Sequence, residues 1–446
     1  MRAWRPKSGE VTLKHRKYST TAIACGAFLF CFLHGPAQSQ VWQEPSDPAM
    51  AINRPDEYAW RLFIALNWPA DASGCRSDPQ KKLGDPGMTV WESWRSRTET
   101  YLPGGKKPPE WGVGCSQQLS AGIKVLAPSS QAAAANSAVP KPAFTHPLPG
   151  EALSSQLSEE VRLNKASYDF IRDEGLYARN EQTARARMAL EARKNGQPLP
   201  EKAVISFPVG AKEAKGHWAL IRDEDKSRYH WASGKFKDRD VTYGLVAFSF
   251  TTKDLPNWFW ATFEHVDNEV DWPELKKRWP SQIESDAALV AELNQATRDW
   301  FAGWEVKSVD KFSCKTPPHN CNDFPKGLGI EGNKWQYYRL RGTQTEFVDA
   351  KGAPTRLVNS KIEGIFEQRH MSCITCHALA AVNSDGSDMP IAILERRGPT
   401  RKDKIGFIGA PKTELFKDNI LQLDFVWSLR MASCDPTDER PCEGSQ

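Results

Sequence analysis

The sequence predicts an α+β fold: a mixed α/β main domain of short strands and helices, followed by a small, mostly helical C-terminal segment. Apolar residues fall at helical spacing from Tyr58 to Trp68 and in two stretches between residues 153 and 195. From Ala203 onward, short runs rich in β-branched and aromatic residues are divided by Gly, Asp and Lys turns, a pattern typical of strands. This change of periodicity along the chain predicts both element types in the middle of the protein.

The predicted elements follow the chain in order. The first helix ends at Pro69. Of two later helices, one is marked by Val161, Leu163, Tyr168 and Phe170, and the other covers the basic run Ala184–Lys194. Predicted strands are Val204–Pro208, His217–Ile221, Tyr229–Trp231, Tyr243–Phe250, Phe259–Phe263, Trp335–Leu340 and Arg356–Asn359. Further helices are predicted after Pro273, from about Glu284, over Lys361–His370, and near the C-terminus, where Ile420, Leu423, Trp427 and Met431 share one face.

Residues 1–39 have the composition of an export signal. A basic start is followed by an apolar run, Thr21–Leu33, and the small residues Ala37 and Ser39 suit cleavage near Gln40. The apolar run is too short to span a bilayer as a mature helix, and no later segment is long and apolar enough to do so. We therefore predict a periplasmic protein without a transmembrane segment after signal removal.

Charge argues against nucleic acid as a partner. The formal charge of +4 includes a surplus of five basic residues within residues 1–39, so the rest of the chain balances at −1. The basicity belongs to the predicted signal and not to a binding surface.

Composition divides the rest of the chain into four segments. Residues 40–126 are rich in Trp and interrupted by Pro and Gly, and residues 127–150 resemble a solvated linker or long loop. Residues 151–359 form the mixed α/β domain, and residues 360–446 form the C-terminal segment.

The C-terminal segment contains Cys373-Ile374-Thr375-Cys376-His377, a C-x-x-C-H sequence. Two cysteines on one turn of helix can each add to a vinyl group of one haem, and the next histidine can bind the iron. The motif therefore predicts one covalently attached haem c, with Cys373 and Cys376 as attachment sites and His377 as the proximal iron ligand. A helical run on each side of the motif is the order expected of a small cytochrome c-like unit, to which the α/β domain supplies part of the pocket.

Two other interpretations of the motif are weaker. A thioredoxin-like redox pair would follow a strand at the start of a βαβ unit, whereas the run before this motif is predicted to be helical. A zinc site needs four protein ligands, and Cys314 and Cys321, with His319 between them, lack the spacing of a second knuckle.

Six further cysteines remain outside the signal and the motif. An even number in an oxidising compartment favours disulfides. Pairing between neighbours predicts bonds Cys75–Cys115, Cys314–Cys321 and Cys434–Cys442, and the other fourteen connectivities stay open.

Three stretches carry a resemblance to a known family. They are Trp258–Asn268, which has the pattern W-x-W-[AS]-T-F-E-H-V-D-N, Phe207–Lys215 with Trp218, and Gln368–Ala378. Together they resemble a family of exported bacterial proteins described only as cytochrome c-like, over about residues 55–435. The chain departs from the family's pattern in having Gly216-His217 before Trp218. The resemblance implies a haem and an exported location, and it implies no particular reaction.

Three residues are candidates for the distal side of the iron. Met431 and Met389 would give His/Met ligation, which raises the potential and suits electron carriers. His265 is the third candidate, and Glu264 and Asp267 could orient its imidazole. We favour a position of His265 near the haem, either as a ligand or, with Glu264, as a distal acid/base.

Two functions follow from these residues. The first is a periplasmic monohaem c-type cytochrome that exchanges single electrons with a periplasmic redox partner protein. The alternative is a haem-dependent oxidoreductase, peroxidase-like or oxidising a small molecule, with an open distal site in the α/β domain. Size favours the alternative, because an electron carrier needs only ~100 residues. A haem-based gas or redox sensor is a third, non-catalytic hypothesis.

Overall fold

Helices and mostly antiparallel strands make up the computed structural model, which confirms the predicted α+β class. The structure describes residues 41–71, 76–112, 123–124, 127–128, 158–221, 223–236, 239–266, 324–357, 359, 361–362, 372–388, 409–410, 419–440 and 442. The helices are α1 (Ala49–Asn53), α2 (Pro55–Leu66), α3 (Arg97–Thr100), α4 (Lys165–Asp173), α5 (Arg179–Lys194) and α6 (Cys373–Ala378). The strands are β1 (Arg95–Ser96), β2 (Ile123–Lys124), β3 (Ala127–Pro128), β4 (Ser158–Leu163), β5 (Lys212–Leu220), β6 (Trp231–Phe236), β7 (Arg239–Thr252), β8 (Phe259–His265), β9 (Tyr338–Gln344), β10 (Ala381–Asn383) and β11 (Ile420–Gln422).

Strands β1 to β9 form one sheet around the long strand β7. Strand β5 pairs with one edge of β7, while β6 and β8 pair with successive halves of the other edge. The sheet continues from β5 to β4, which pairs with β1 and β3, and from β8 to β9. The sheet therefore combines strands from the Trp-rich segment, from the first residues assigned to the linker and from the mixed domain. The separate pair β10–β11 lies in the C-terminal segment.

The register alternates between an apolar and a polar face. One row across β5, β7 and β8 joins Ala214, Phe250 and Ala261, and the next joins Gly216, Phe248 and Phe263. These residues belong to the main apolar cluster or border it, and helix α2 lies against them. Phe63 of α2 stacks on Phe263 with ring centroids 4.2 Å apart. Burial of each such side chain contributes about 1.5–3 kcal/mol, so this face anchors the sheet.

Helix α2 follows from local sequence as well as from packing. Pro55 at its first turn has the fixed φ of a helix start, and Asp56 and Glu57 complement the positive end of the helix dipole. Ten of its twelve residues are buried, as expected of a helix that is apolar on most sides.

Gly216 lies at a crowded point of the apolar face. A Cβ at this position would lie 2.8 Å from Cη2 of Trp91 and 3.0 Å from Cδ1 of Leu245. We expect Gly216→Ala to lower the free energy of unfolding by about 1–3 kcal/mol, measured by denaturant titration. Combining it with Trp91→Phe should cost less than the sum of the two single changes, because the smaller ring makes room for the methyl group. Full additivity would contradict this explanation.

Several predicted elements are corrected by the structure. Val161 and Leu163 lie in strand β4 and not in a helix, because they alternate at a spacing of two and Leu163 is fully buried against the sheet. Val204–Pro208 is extended without being a strand. Val204 is exposed, whereas Ile205 and Phe207 are buried by packing that does not involve strand pairing. The Phe207 amide donates to the Asp424 side chain, 2.7 Å away. Arg356 and Leu357 also lie outside any strand.

The predicted C-terminal helix is also wrong. Ile420 and Leu421 lie in strand β11, and Trp427–Met431 is a short 3₁₀ turn. Between them, Asp424 and Phe425 adopt left-handed backbone angles, which end any continuous helix. The described residues of the C-terminal segment thus contain one short helix, a strand pair and a 3₁₀ turn.

The bond between Cys434 and Cys442 is confirmed, with a Cα–Cα distance of 5.8 Å. Several predictions lie outside the described residues. They are the other two disulfide bonds, the export signal, Met389 as a ligand, the helices after Pro273 and most of the helix Lys361–His370. Of the helices in the described part of the chain, none combines the length and apolar composition needed to cross a membrane.

Candidate functional site

The C-x-x-C-H sequence forms helix α6, and strand β9 holds its start. Ser372 is the N-cap, whose hydroxyl accepts a hydrogen bond from the Thr375 amide. Gln344, the last residue of β9, donates to the Ser372 hydroxyl (2.7 Å) and accepts from the Ile374 amide (3.0 Å). The position of the helix relative to the sheet is therefore set by paired polar groups as well as by packing.

The two predicted attachment cysteines lie on the more accessible side of α6. Cys373 and Cys376 are half-buried, whereas Ile374, Thr375 and Ala378 are buried. With a spacing of three residues, the two thiols fall on the same side of the helix. A single planar group could reach both.

The orientation and protonation of His377 are set by a backbone carbonyl. Its Nδ1 lies 2.8 Å from the carbonyl oxygen of Phe425. A carbonyl oxygen only accepts, so Nδ1 carries the hydrogen and Nε2 keeps its lone pair. Burial lowers the pKa of His377 to about 4, the bond to Phe425 acts in the opposite direction, and the charge of Lys215 lowers the pKa further. His377 is therefore neutral at pH 7, with Nε2 available to a metal.

Aromatic rings and strained backbone surround His377. The ring of Trp260 lies 4.5 Å from the imidazole, and Trp427 Nε1 donates to the carbonyl of Cys376, 3.1 Å away. The three non-glycine residues with positive φ among the described residues all lie near this site: Trp258, Asp424 and Phe425. Such conformations cost on the order of 1–3 kcal/mol each and concentrate at functional sites.

Asp424 ties the strained turn to the main domain. One carboxylate oxygen accepts from Lys253 Nζ at 2.6 Å, and the other accepts from the amide of Phe207 at 2.7 Å. Because these bonds hold the residue before Phe425, they also fix the direction of the carbonyl that binds His377.

On the side of the sheet that faces His377, rows of paired residues carry polar groups. One row joins Trp260, Thr251, Glu213 and Leu163; the next joins Thr262, Ser249, Lys215 and Val161; the third joins Glu264, Ala247, His217 and Glu159. We call the polar residues of these rows the polar face: Glu159, Glu213, Lys215, His217, Ser249, Thr251, Thr262 and Glu264. Since Trp260 contacts His377, the polar face and His377 lie on the same side of the sheet.

Ion pairs divide the charges of the polar face. Glu159 is 2.8 Å from Lys215 and 2.7 Å from Arg97, and burial raises its pKa less than these charges lower it, so the pKa stays well below its usual range. Burial also lowers the pKa of His217, to about 3, which keeps this imidazole neutral. Glu264 pairs with Arg341 at 3.0 Å in a fully buried position. Buried ionisable groups of this kind are costly and mark functional candidates.

His265 lies on the other face of the sheet. Its Nε2 is 3.0 Å from the carbonyl oxygen of Arg228, and its ring stacks on Tyr229 at 3.7 Å. Glu264 and His265 are neighbours in one strand, so their side chains point to opposite faces. His265 is also five residues from Trp260, about 17 Å along the strand. The structure does not bring His265 to His377 or to Glu264.

Of the two methionines predicted as distal iron ligands, the structure describes only Met431. Met431 ends the 3₁₀ turn with 51% of its surface exposed, so it is not part of a packed apolar face. Met389 lies outside the described residues.

Four contributors to this site were not predicted from the sequence: the carbonyl of Phe425, and Glu213, Lys215 and His217 of strand β5. A signal for the last three exists, because Glu213, Lys215 and His217 alternate at a spacing of two and therefore share one strand face. No local pattern points to the Phe425 carbonyl.

No family model, curated protein or solved structure matches this chain. Within the described residues, no group of three or more His, Cys, Asp or Glu side chains is arranged to hold a metal ion. A haem iron takes four of its ligands from the porphyrin, so the chain has to supply axial ligands only.

Proposed function

We propose that the protein is a periplasmic c-type cytochrome that binds one haem c covalently through Cys373 and Cys376, with His377 as proximal ligand. The observation that carries this proposal is the bond from Nδ1 of His377 to the Phe425 carbonyl. It leaves Nε2 unprotonated, and a second hydrogen bond of this kind is the usual support of a metal-binding histidine. Two half-buried thiols, Cys376 next to His377 and Cys373 one turn earlier, complete a donor set that fits haem c.

Single-electron transfer is the first function that this site supports. Bound haem supplies a one-electron couple between Fe(III) and Fe(II). The chain's own residues orient and tune the site: the Phe425 carbonyl makes the imidazole more basic, and the Trp260 ring packs against His377. A periplasmic redox partner protein would supply and accept the electrons. The export signal and the C-terminal haem segment belong to this proposal.

A haem-dependent oxidoreductase is the second candidate, and the polar face favours it. An electron carrier needs an apolar surround, whereas here acids, a lysine and a histidine lie on the sheet side that faces His377. Such groups could bind a small polar molecule and move its protons. Strand β8 would contribute Glu264 to this site, but His265 lies on the other face.

A ferric absorption spectrum separates the two functions. The protein would be matured in cells that attach haem c, and denaturing electrophoresis would test for bound haem. A low-spin, six-coordinate ferric spectrum supports the carrier, and a high-spin spectrum that changes on addition of cyanide supports the oxidoreductase. We expect His265→Ala to leave the ferric spectrum unchanged, because this ring packs on Tyr229 across the sheet. A change from low spin to high spin in that variant would contradict the placement.

A further inference from the structure

The carboxyl group of Glu213 is connected to the turn that holds His377. Ser428 Oγ donates to Glu213 Oε2 at 3.1 Å, and the hydroxyl of Tyr101 lies 3.3 Å from Ser428 Oγ. Ser428 follows only three residues after Phe425, whose carbonyl binds the imidazole. Across the sheet, Glu213 shares its row with Trp260, the ring in contact with His377. Glu213 is thus connected to the surroundings of His377 through the 3₁₀ turn, which contains Ser428, and through strand β8, which contains Trp260.

Glu213 is bound by a neutral donor, the hydroxyl of Ser428. Glu159 is held between Lys215 and Arg97, and Glu264 is paired with Arg341. A neighbouring cation strongly favours the charged form of a carboxylate. A hydrogen bond from a neutral hydroxyl favours the charged form much less. The residue Glu213 is half-buried, whereas Glu159 and Glu264 are buried.

Charges from three elements face Glu213. They are Arg97 of α3, Lys215 of β5 and Glu159 of β4, and Ser428 approaches from the 3₁₀ turn. Burial raises the pKa of Glu213 above its usual range, and the two cations and the hydroxyl only partly offset this effect. Lys215 also acts electrostatically on His377. A change of charge at a metal bound by His377 would therefore also act electrostatically on the charged groups of the polar face.

We propose that Glu213 is the proton-exchanging residue of this site, taking up one proton from solvent for each electron that enters at the iron bound by His377. The electron comes from an external one-electron donor protein, and electron and proton leave together on oxidation. The physical reason is that an added negative charge near a half-buried carboxylate favours its protonated form, since screening there is weaker than in water. This inference rests on the proposed function.

The test is the midpoint potential of the haem-loaded protein as a function of pH. Because reduction takes up a proton, we expect the potential to fall as pH rises, by about 59 mV per pH unit between the two pKa values of Glu213. Glu213→Gln should remove this fall. Ser428→Ala should move it to higher pH, since the lost hydroxyl had stabilised the charged carboxylate. Glu191→Gln, at an exposed position on α5, is the control and should leave the profile unchanged.

An infrared difference spectrum between the reduced and oxidised states gives a second readout. We expect a carbonyl band of a protonated carboxyl group that is present in the unaltered protein and absent from Glu213→Gln. The proposal would be overturned if Glu213→Gln kept both the carbonyl band and the pH dependence of the potential. If Glu213→Gln does not fold, a pH dependence in Ser428→Ala that matches the unaltered protein would overturn it. A normal haem spectrum in those samples leaves the proposed function standing. Failure of the unaltered protein to bind haem overturns both.

Discussion

Replacing Cys373 and Cys376 together by alanine is expected to abolish covalent haem retention completely. Both thiols are half-buried on one side of α6. In the proposed haem attachment, each thiol would form one of the two bonds to the ring. Without either bond, denaturation releases the haem. Denaturing electrophoresis with haem staining, and the intact mass of the mature protein, measure the result.

The single variants and a distant pair serve as comparisons. Cys373→Ala and Cys376→Ala should each retain haem through one remaining bond, with a shifted absorption band. The double change Cys434→Ala/Cys442→Ala removes the disulfide near the C-terminus and should leave haem attachment intact. Haem staining of the Cys373→Ala/Cys376→Ala protein at the unaltered level would exclude these cysteines as attachment sites.

Glu264→Leu is expected to lower the free energy of unfolding by about 3–5 kcal/mol. Glu264 is fully buried and pairs with Arg341 at 3.0 Å, and removing the carboxylate leaves a buried cation with a missing counter-charge. Burial lowers the pKa of the nearby Lys361 to about 8, and Glu264 opposes that effect. The same change therefore disturbs two buried cations. Denaturant titration of the variant and the unaltered protein gives the difference.

A matched control separates burial from the substitution itself. Glu191→Leu removes the same side chain from a pair with Lys194, in which both partners are more than half exposed. This change should alter stability by about 1 kcal/mol or less. A cost for Glu264→Leu within that range would mean that the ion pair is solvated. If the large cost is found, any loss of activity in Glu264 variants has to be corrected for unfolding.

Local pattern was sufficient for the parts of the fold with strong periodicity. The helix over Tyr58–Leu66 was predictable because its apolar residues recur at helical spacing. Strands β5, β7 and β8 were predictable because they contain runs of β-branched, aromatic and other apolar residues bounded by turn residues. The assignment of the motif residues to haem attachment stays a prediction, and it has a different basis. Their chemistry depends on a spacing of three residues, which a short helix preserves wherever it packs.

The prediction for His265 illustrates why the surroundings of the site could not be predicted from the sequence. Proximity in sequence joined His265 to Glu264, but a strand turns neighbouring side chains to opposite faces. The predicted C-terminal helix failed similarly. Its spacing was helical, but Asp424 adopts a left-handed conformation held by Lys253 and by the amide of Phe207, two groups that are distant in sequence.

The chain's own residue order thus decided which atoms could attach a ring and bind its iron, because that chemistry is carried by five consecutive residues. Tertiary structure alone decided what surrounds His377. The Phe425 carbonyl, the Trp260 ring and the acids of the polar face come from separate parts of the chain, and the pairing of β5, β7 and β8 places Glu213 in the row of Trp260. The register of β5 on β7 is set across strand β6, which lies between them in sequence, so no single local stretch of the sequence encodes it.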